Sequence, residues 1–176
     1  MKWAIRLCLL AAALLILLLI GALIPVRLSA SELVVKEQRC MAEAVYFEAR
    51  DQNFLGQIAV AVVIHNRTKD NRWPSTICGV VKEGLYWRGN PVKYKCQFSY
   101  WCDGKPERPT EKEAWAKALD ISKQVLENRI SIESLQGATH YHATTVRPFW
   151  AKKLEPRGQI GDHKFYAKRR KERLSE

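Results

Sequence analysis

Between Phe54 and Lys69 the chain reads FLGQIAVAVVIHNRTK, and its middle, Ile58 to Ile64, is apolar on every side of a helix. A helix without a polar face has to be surrounded, so this segment belongs at the centre of a core and the remaining elements must pack about it. The stretch before it, RCMAEAVYFEAR, also has helical spacing, with Met41, Ala44, Val45 and Ala49 on one side and Glu43 and Arg50 on the other. NRWPSTICGVV closes this unit, because Pro74 breaks any continued helix. From Gly84 to Pro109 the sequence is rich in Gly, Pro and aromatics and lacks a helical period. That composition predicts a long structured loop with room for a short hairpin, which Cys96 and Cys102 could tie down. Thr110 with Glu113 forms a capping box for a third helix, whose packing side (Ala114, Trp115, Ala118, Ser122, Val125, Leu126) runs to about Glu127. After Gly137 the period changes to two in ATHYHA and again in HKFYAK, which predicts two short strands, with Pro148 and Pro156 shaping loops. The fold class expected is α+β, mainly helical, with a small antiparallel sheet.

The N-terminus sets the compartment. Leu7 to Ile24 carries no charge and is long enough, at about 1.5 Å per residue, to nearly cross a bilayer core as one transmembrane helix. Lys2 and Arg6 before it and Arg27 after it favour a cytoplasmic N-terminus and an exported remainder. A cleaved signal peptide is the rival reading, but the apolar run exceeds the usual h-region and the LSA before Ser31 is a poor cleavage site. The expected organisation is therefore a cytoplasmic segment 1–6, an anchor 7–24, a linker 25–36, one domain 37–167 and a solvated basic tail 168–176. The chain would be a single-pass protein of the inner membrane with its domain in the periplasm or exterior. Four cysteines, Cys40, Cys78, Cys96 and Cys102, fall in the exported part, where two disulfides are expected in any of three pairings. No CxxC pair argues for a zinc ribbon. The net charge of +11 points to an anionic polymer or membrane surface, since an exported domain rarely meets nucleic acid.

Glu48 falls in the middle of the apolar side of the first helix. A carboxylate there is either half-buried, with its pKa raised by desolvation, or aimed into a cleft, and a raised pKa keeps it protonated as a general acid requires. The plainer alternative is that Glu48 pairs with Arg50, Arg67 or a histidine and fastens the helix. Asn66, on the inward side of the buried helix, should bond a loop backbone and fix the floor of a cleft, and Arg67 should do the same through a carboxylate.

Five stretches in order, AVYFEAR, GQIAVAVVIHNR, CGVV, CQFSYWCDG and ATHYHATTVRPFWAKKLEPRGQIGDHKFYA, together resemble the cell wall hydrolase family of the spore cortex-lytic enzyme type, from about Cys40 to Tyr166. The resemblance implies a lysozyme-like, lytic-transglycosylase-like domain that cleaves peptidoglycan between N-acetylmuramic acid and N-acetylglucosamine and leaves a 1,6-anhydro end, with Glu48 as its catalytic acid and no cofactor. The chain departs from the family where EARGE would continue, reading EARDQ with Asp51 and Gln52. No second carboxylate has comparable support: Asp51, Asp103 and Asp162 are the nearest candidates. A single-acid mechanism, with the sugar's own hydroxyl or a loosely held water attacking, accommodates that absence.

A glycan offers hydroxyls and acetamido groups for hydrogen bonds and flat C–H faces for stacking, so the substrate-binding candidates are Tyr46, Gln97, Phe98, Ser99, Tyr141 and His142. Core packing is the competing role for Phe98, Trp150 and Phe165, while Trp87 and Trp101 could serve either. His140, His142 and His163 could instead hold zinc, which would make the protein an N-acetylmuramoyl-L-alanine amidase. A non-catalytic tether from membrane to peptidoglycan is the third class of function.

Overall fold

The computed structural model describes Trp3 and residues 29–169. The expected anchor, Leu7–Ile24, and the tail from residue 170 onward lie outside the described residues. Among those described, no helix is long and apolar enough to cross a membrane. Helix α1 spans Ala30–Ala49, starting within the stretch expected to be a linker. Its start is a reciprocal cap, in which Glu32 N–H donates to Ser29 Oγ at 3.2 Å and Ser29 N–H donates to Glu32 Oε2 at 2.7 Å.

The compact unit begins at Val34. Within it α2, Phe54–Thr68, is buried from Gly56 through Ile64, the enclosure its apolar circumference requires. It packs on α3 (Ile77–Val81), α4 (Lys112–Leu126) and strand β3 (Ala138–Ala143). Met41, Ala44, Val45 and Ala49 of α1 join the same core, as their spacing predicts. The turn between α1 and α2 is tight. Asn53 Oδ1 accepts the Gly56 N–H at 2.8 Å, and a Cβ on Gly56 would stand 2.9 Å from Gln52 Cβ. The buried Gln57 donates to the carbonyls of Arg50 and Gln52 at 3.3 and 2.9 Å.

Gln52, the position where the chain departs from EARGE, clasps this turn to the far end of the sheet. Its Nε2 donates to Asp162 Oδ2 at 3.2 Å and its Oε1 accepts the Asp162 N–H at 3.1 Å. An amide does both, whereas an ionised glutamate could only accept and would face the Asp162 carboxylate.

Two antiparallel sheets complete the unit. The region expected to be a loop contains a hairpin of β1, Gly84–Trp87, and β2, Asn90–Cys96. Arg88 and Gly89 form its two-residue turn with φ of 49° and 81°, the doubly left-handed backbone that matches strand twist. The second sheet has the order β3-β5-β4, with β5 at His163–Ala167 and β4 at Glu155–Ile160. β3 and β5 are the two strands that alternation predicts. β4 was not legible, because Pro156 and Gly158 interrupt its pattern; both are tolerated since β4 is an edge strand with a register shift between them. Pro156 therefore sits in a strand and not in a loop.

Cysteines pair Cys40 to Cys78, joining α1 to α3, and Cys96 to Cys102 across six residues. The capping box expected at Thr110 does not form: α4 begins at Lys112 behind Glu111, with no side-chain cap. The donors of that loop go elsewhere, since the N–H groups of Thr110 and Glu111 both reach the hydroxyl of Tyr46, at 3.1 and 3.2 Å.

Candidate active site

Glu48 lies in the last turn of α1, half-buried beside Val45 and Ala49 of the core. Its carboxylate opens on a cavity of about 360 Å³ whose walls include Phe47, Ser99, Tyr100, Asp103 and Glu107. From the sheet, Tyr141 Oη donates to Glu48 Oε2 at 3.4 Å. Burial raises the pKa of Glu48, against the opposing effects of the Tyr141 hydrogen bond and the Arg67 charge. The site thus holds a carboxylic acid inclined to keep its proton, beside a phenol that burial pushes far above its ordinary range.

Arg67 is the second group, after Tyr141, that opposes the effect of burial on Glu48. The residue is 5% exposed, its Nε donates to the Thr139 carbonyl at 2.8 Å, and its guanidinium lies 4.1 Å from the Trp73 ring centroid and 5.4 Å from that of Phe98. Desolvation lowers its pKa, while Tyr141, Glu83 and Glu48 support the charge. The direct partner is thus a backbone carbonyl, where a carboxylate was expected. Asn66 does bond loop backbone, donating to the carbonyls of Leu135 and Ala138 at 2.8 and 3.0 Å, but it lines depressions away from Glu48 and so is not the floor of that cavity.

Two members of the cluster escaped sequence reasoning. Glu83, just after α3, has its pKa raised by burial with Arg67 opposing, and its Oε2 is buried without a hydrogen-bond partner. Tyr100 has a buried, unpartnered hydroxyl, and desolvation followed by the charges of Glu43 and Glu48 drives its pKa upward. Neither carries a periodic signal. A lone glutamate beside a glycine and a tyrosine in an aromatic loop become notable only once Arg67 and Glu48 are folded against them.

Of the residues expected to bind substrate, Ser99 lines the cavity and Tyr141 touches Glu48. Four lie elsewhere. Tyr46 is 2% exposed and its hydroxyl holds the loop before α4, so it is a structural tie and not a wall of the cleft. Phe98, 1% exposed, packs in the core under Arg67. Gln97 is exposed and its N–H bonds the Glu83 carbonyl, away from the cavity lining. His142 faces the outer side of the sheet, with Nε2 2.9 Å from Tyr166 Oη and its ring stacked on Tyr166.

Tyr46→Phe discriminates between the two roles. Removing the acceptor leaves two backbone donors unpaired, so the expected loss is about 2 kcal/mol of stability at unchanged substrate affinity. Chemical denaturation and binding to peptidoglycan fragments measure the two separately.

Strand register separates the histidines. Tyr141 pairs with Phe165 and Ala143 with His163, whereas His140 pairs with Tyr166 and His142 with Lys164. Cross-strand partners share a face, so His140 and His142 lie on one side of the sheet and His163 on the other, edge-on to Tyr141 at 5.2 Å. They cannot converge on one ion, and among the described residues no three His, Cys, Asp or Glu side chains group as metal ligands. His140 and His142 instead flank Trp150, at 5.4 and 5.6 Å between rings, which places Trp150 on that outer face, partly exposed. Burial and the charges of Arg67 and Arg72 hold His140 at a pKa of about 4.

Fold and site together define a small mixed helix–sheet domain with a half-buried glutamate, raised in pKa by burial, opening on a cleft. The family model described as Cell Wall Hydrolase matches residues 51–166, and the chain belongs to that family. The catalytic domain of the germination-specific lytic transglycosylase SleB from Bacillus anthracis superposes with a TM-score of 0.54 at 26% identity, covering 81% of this chain and 99% of that one. The catalytic domain of Bacillus cereus SleB gives 0.52 at 27% identity, covering 74% and 88%. In sequence, a spore cortex-lytic enzyme of Bacillus cereus is 51% identical over 43 residues, 24% of this chain and 17% of that protein. That of Bacillus subtilis is 45% identical over 47 residues, 27% of this chain and 15% of that protein. The matched stretch is thus about a sixth of those relatives' length, while the catalytic domain alone is matched nearly end to end.

Proposed function

We propose that the domain cleaves the glycan strand of peptidoglycan between N-acetylmuramic acid and N-acetylglucosamine as a lytic transglycosylase, with Glu48 as its single acid–base. The observation that carries this reading is the half-buried Glu48 carboxyl, raised in pKa by burial and opening on a cleft. In the first half of the reaction the protonated carboxyl donates to the glycosidic oxygen as the C1–O bond breaks and the N-acetylglucosamine end leaves with its hydroxyl restored. In the second, the carboxylate so formed takes the proton from the C6 hydroxyl of the muramic acid as O6 bonds to C1. Glu48 ends as it began, protonated. Tyr141 holds one carboxyl oxygen in place, and the positive charge of Arg67 stabilises the carboxylate between the two halves.

Hydrolysis is the second reading, and it rests on a different observation. Asp103 and Glu107 also line the cavity, where either could orient a water against C1. Against a zinc amidase stands the register of β3 and β5, with His163 on the opposite face from His140 and His142. The uncharged Leu7–Ile24 supports a membrane anchor that would hold the domain against the wall from the periplasm or exterior.

Mass spectrometry of soluble products from purified peptidoglycan, with and without a chelator, tests this function. Anhydromuropeptides that persist with chelator are expected. Reducing muramic acid ends would transfer the reaction to a water, free peptides would sustain an amidase, and binding with no soluble product would leave a tether.

A further inference from the structure

The Glu48 cavity does not stop at its own rim. A second depression of about 390 Å³ shares Lys105, Pro106 and Glu107 with it and continues to Pro91, Lys93 and Trp101 under the hairpin. We propose that this second depression is a subsite for the carboxylate-bearing peptide substituent of the glycan strand, so that the enzyme prefers strands that carry stem peptides over bare glycan. The inference rests on the proposed substrate, since it names which part of that polymer the adjoining surface reads.

The chemistry of the walls is the argument. Trp101 is fixed in orientation, its Nε1 donating to Tyr86 Oη at 3.0 Å and its ring lying 4.2 Å under Lys82 Nζ, and with Pro91 it offers a flat apolar surface. The cations Lys93 and Lys105 stand beside it, against the single acid Glu107. Neither lysine has an ion-pair partner among the described residues. Lys93 lies across Gly104, where a Cβ would stand 3.7 Å from Nζ and where φ of +83° favours a residue without one. The Cys96–Cys102 disulfide ties the strand that ends at Cys96 to the turn that carries Trp101, so both walls are held in register. On a peptide-bearing strand the lactyl carboxyl of each muramic acid is tied up as an amide and the anions are carboxylates carried several bonds out along the peptide, whereas a stripped strand keeps one lactyl carboxylate close to each sugar ring. Two cations without ion-pair partners among the described residues, Lys93 lying 5.0 Å over the Tyr94 ring, stand beside an apolar platform one rim away from the acid. They suit carboxylates carried out along a peptide better than a lactyl carboxylate held close to the sugar ring.

Binding tests this independently of turnover. Full-length Glu48→Gln protein would be titrated with soluble peptide-bearing strands and with the same strands stripped of peptide by an amidase. Peptide-bearing strands are expected to bind roughly tenfold more tightly at low salt, with the preference shrinking as ionic strength rises. Adding Lys93→Ala, which lines the second depression and not the Glu48 cavity, should cut the preference severalfold while leaving the affinity for stripped strands unchanged. Equal affinity for the two ligands would overturn the subsite, as would an equal loss for both on removing Lys93. If the preference holds but unsubstituted protein releases no product, the catalytic reading fails and the peptide subsite stands.

Discussion

Glu48→Gln is expected to lower turnover on peptidoglycan by about a thousandfold while the protein folds and still binds the polymer. Glutamine keeps the shape and can still accept from Tyr141, so what is removed is the transferable proton. The same substitution should change stability in a direction that marks Glu48 as a functional group. Its carboxyl has a higher pKa folded than unfolded, so the folded state binds the proton more tightly. The stabilisation linked to that proton is fully present below the unfolded pKa and is lost as pH rises through the folded one. Above the folded pKa, on the alkaline side, the neutral glutamine escapes that loss, and the variant is expected to melt higher than the unsubstituted protein, with the difference closing toward pH 4. Activity should fall on the alkaline side as Glu48 loses its proton. Thermal melts and initial rates across this range, on both proteins, measure all three. Wild-type turnover in the variant would remove Glu48 from the chemistry, and a variant less stable on the alkaline side would return it to the role of a helix fastener.

Replacing Cys40 and Cys78 by alanine is expected to cost about 4 kcal/mol, the chain-entropy value for a loop of 38 residues. A domain of this size holds only about 5–15 kcal/mol in all, so this bond is a large share of its stability. It joins α1, which carries Glu48, to α3, and the Cys78 N–H also donates to Glu37 Oε2 at 3.2 Å. The short Cys96–Cys102 loop should contribute about 2 kcal/mol by the same reckoning, and its loss should weaken substrate binding more than folding, because Ser99 and Tyr100 sit inside that ring. Urea titrations of the two double variants, with product assays below the transitions, separate these effects. Matching midpoints for the Cys40–Cys78 variant and the parent would show that the bond adds no constraint the core lacks.

Much of the frame was legible because it depends on local periodicity. The all-round apolar run of α2 demanded burial and received it, and alternation in ATHYHA marked β3 at its observed bounds. Glu48 was visible as a carboxylate on an apolar helix face, which is a statement about one element. The errors share a cause as well. Tyr46 and His142 have the side-chain chemistry that binds sugars, but Tyr46 turns its hydroxyl onto the Thr110 loop and strand register sends His142 to the outer face. The cap expected from Thr110 failed because a distant phenol supplied the partner instead. β4 stayed hidden because an edge strand tolerates the proline and glycine that usually exclude one.

The sequence by itself determined the buried helix, the acid on its neighbour and the family. These rest on residue type and spacing, which the chain carries whether or not it is folded. Only the tertiary structure decided which cysteines pair, that burial, opposed by Tyr141 and Arg67, shifts Glu48, that Glu83 and Tyr100 are buried near it, and that His163 lies on the opposite face of the sheet from His140 and His142. Those outcomes depend on which faces of separate elements are brought together, and burial and charge at a site are properties of that encounter.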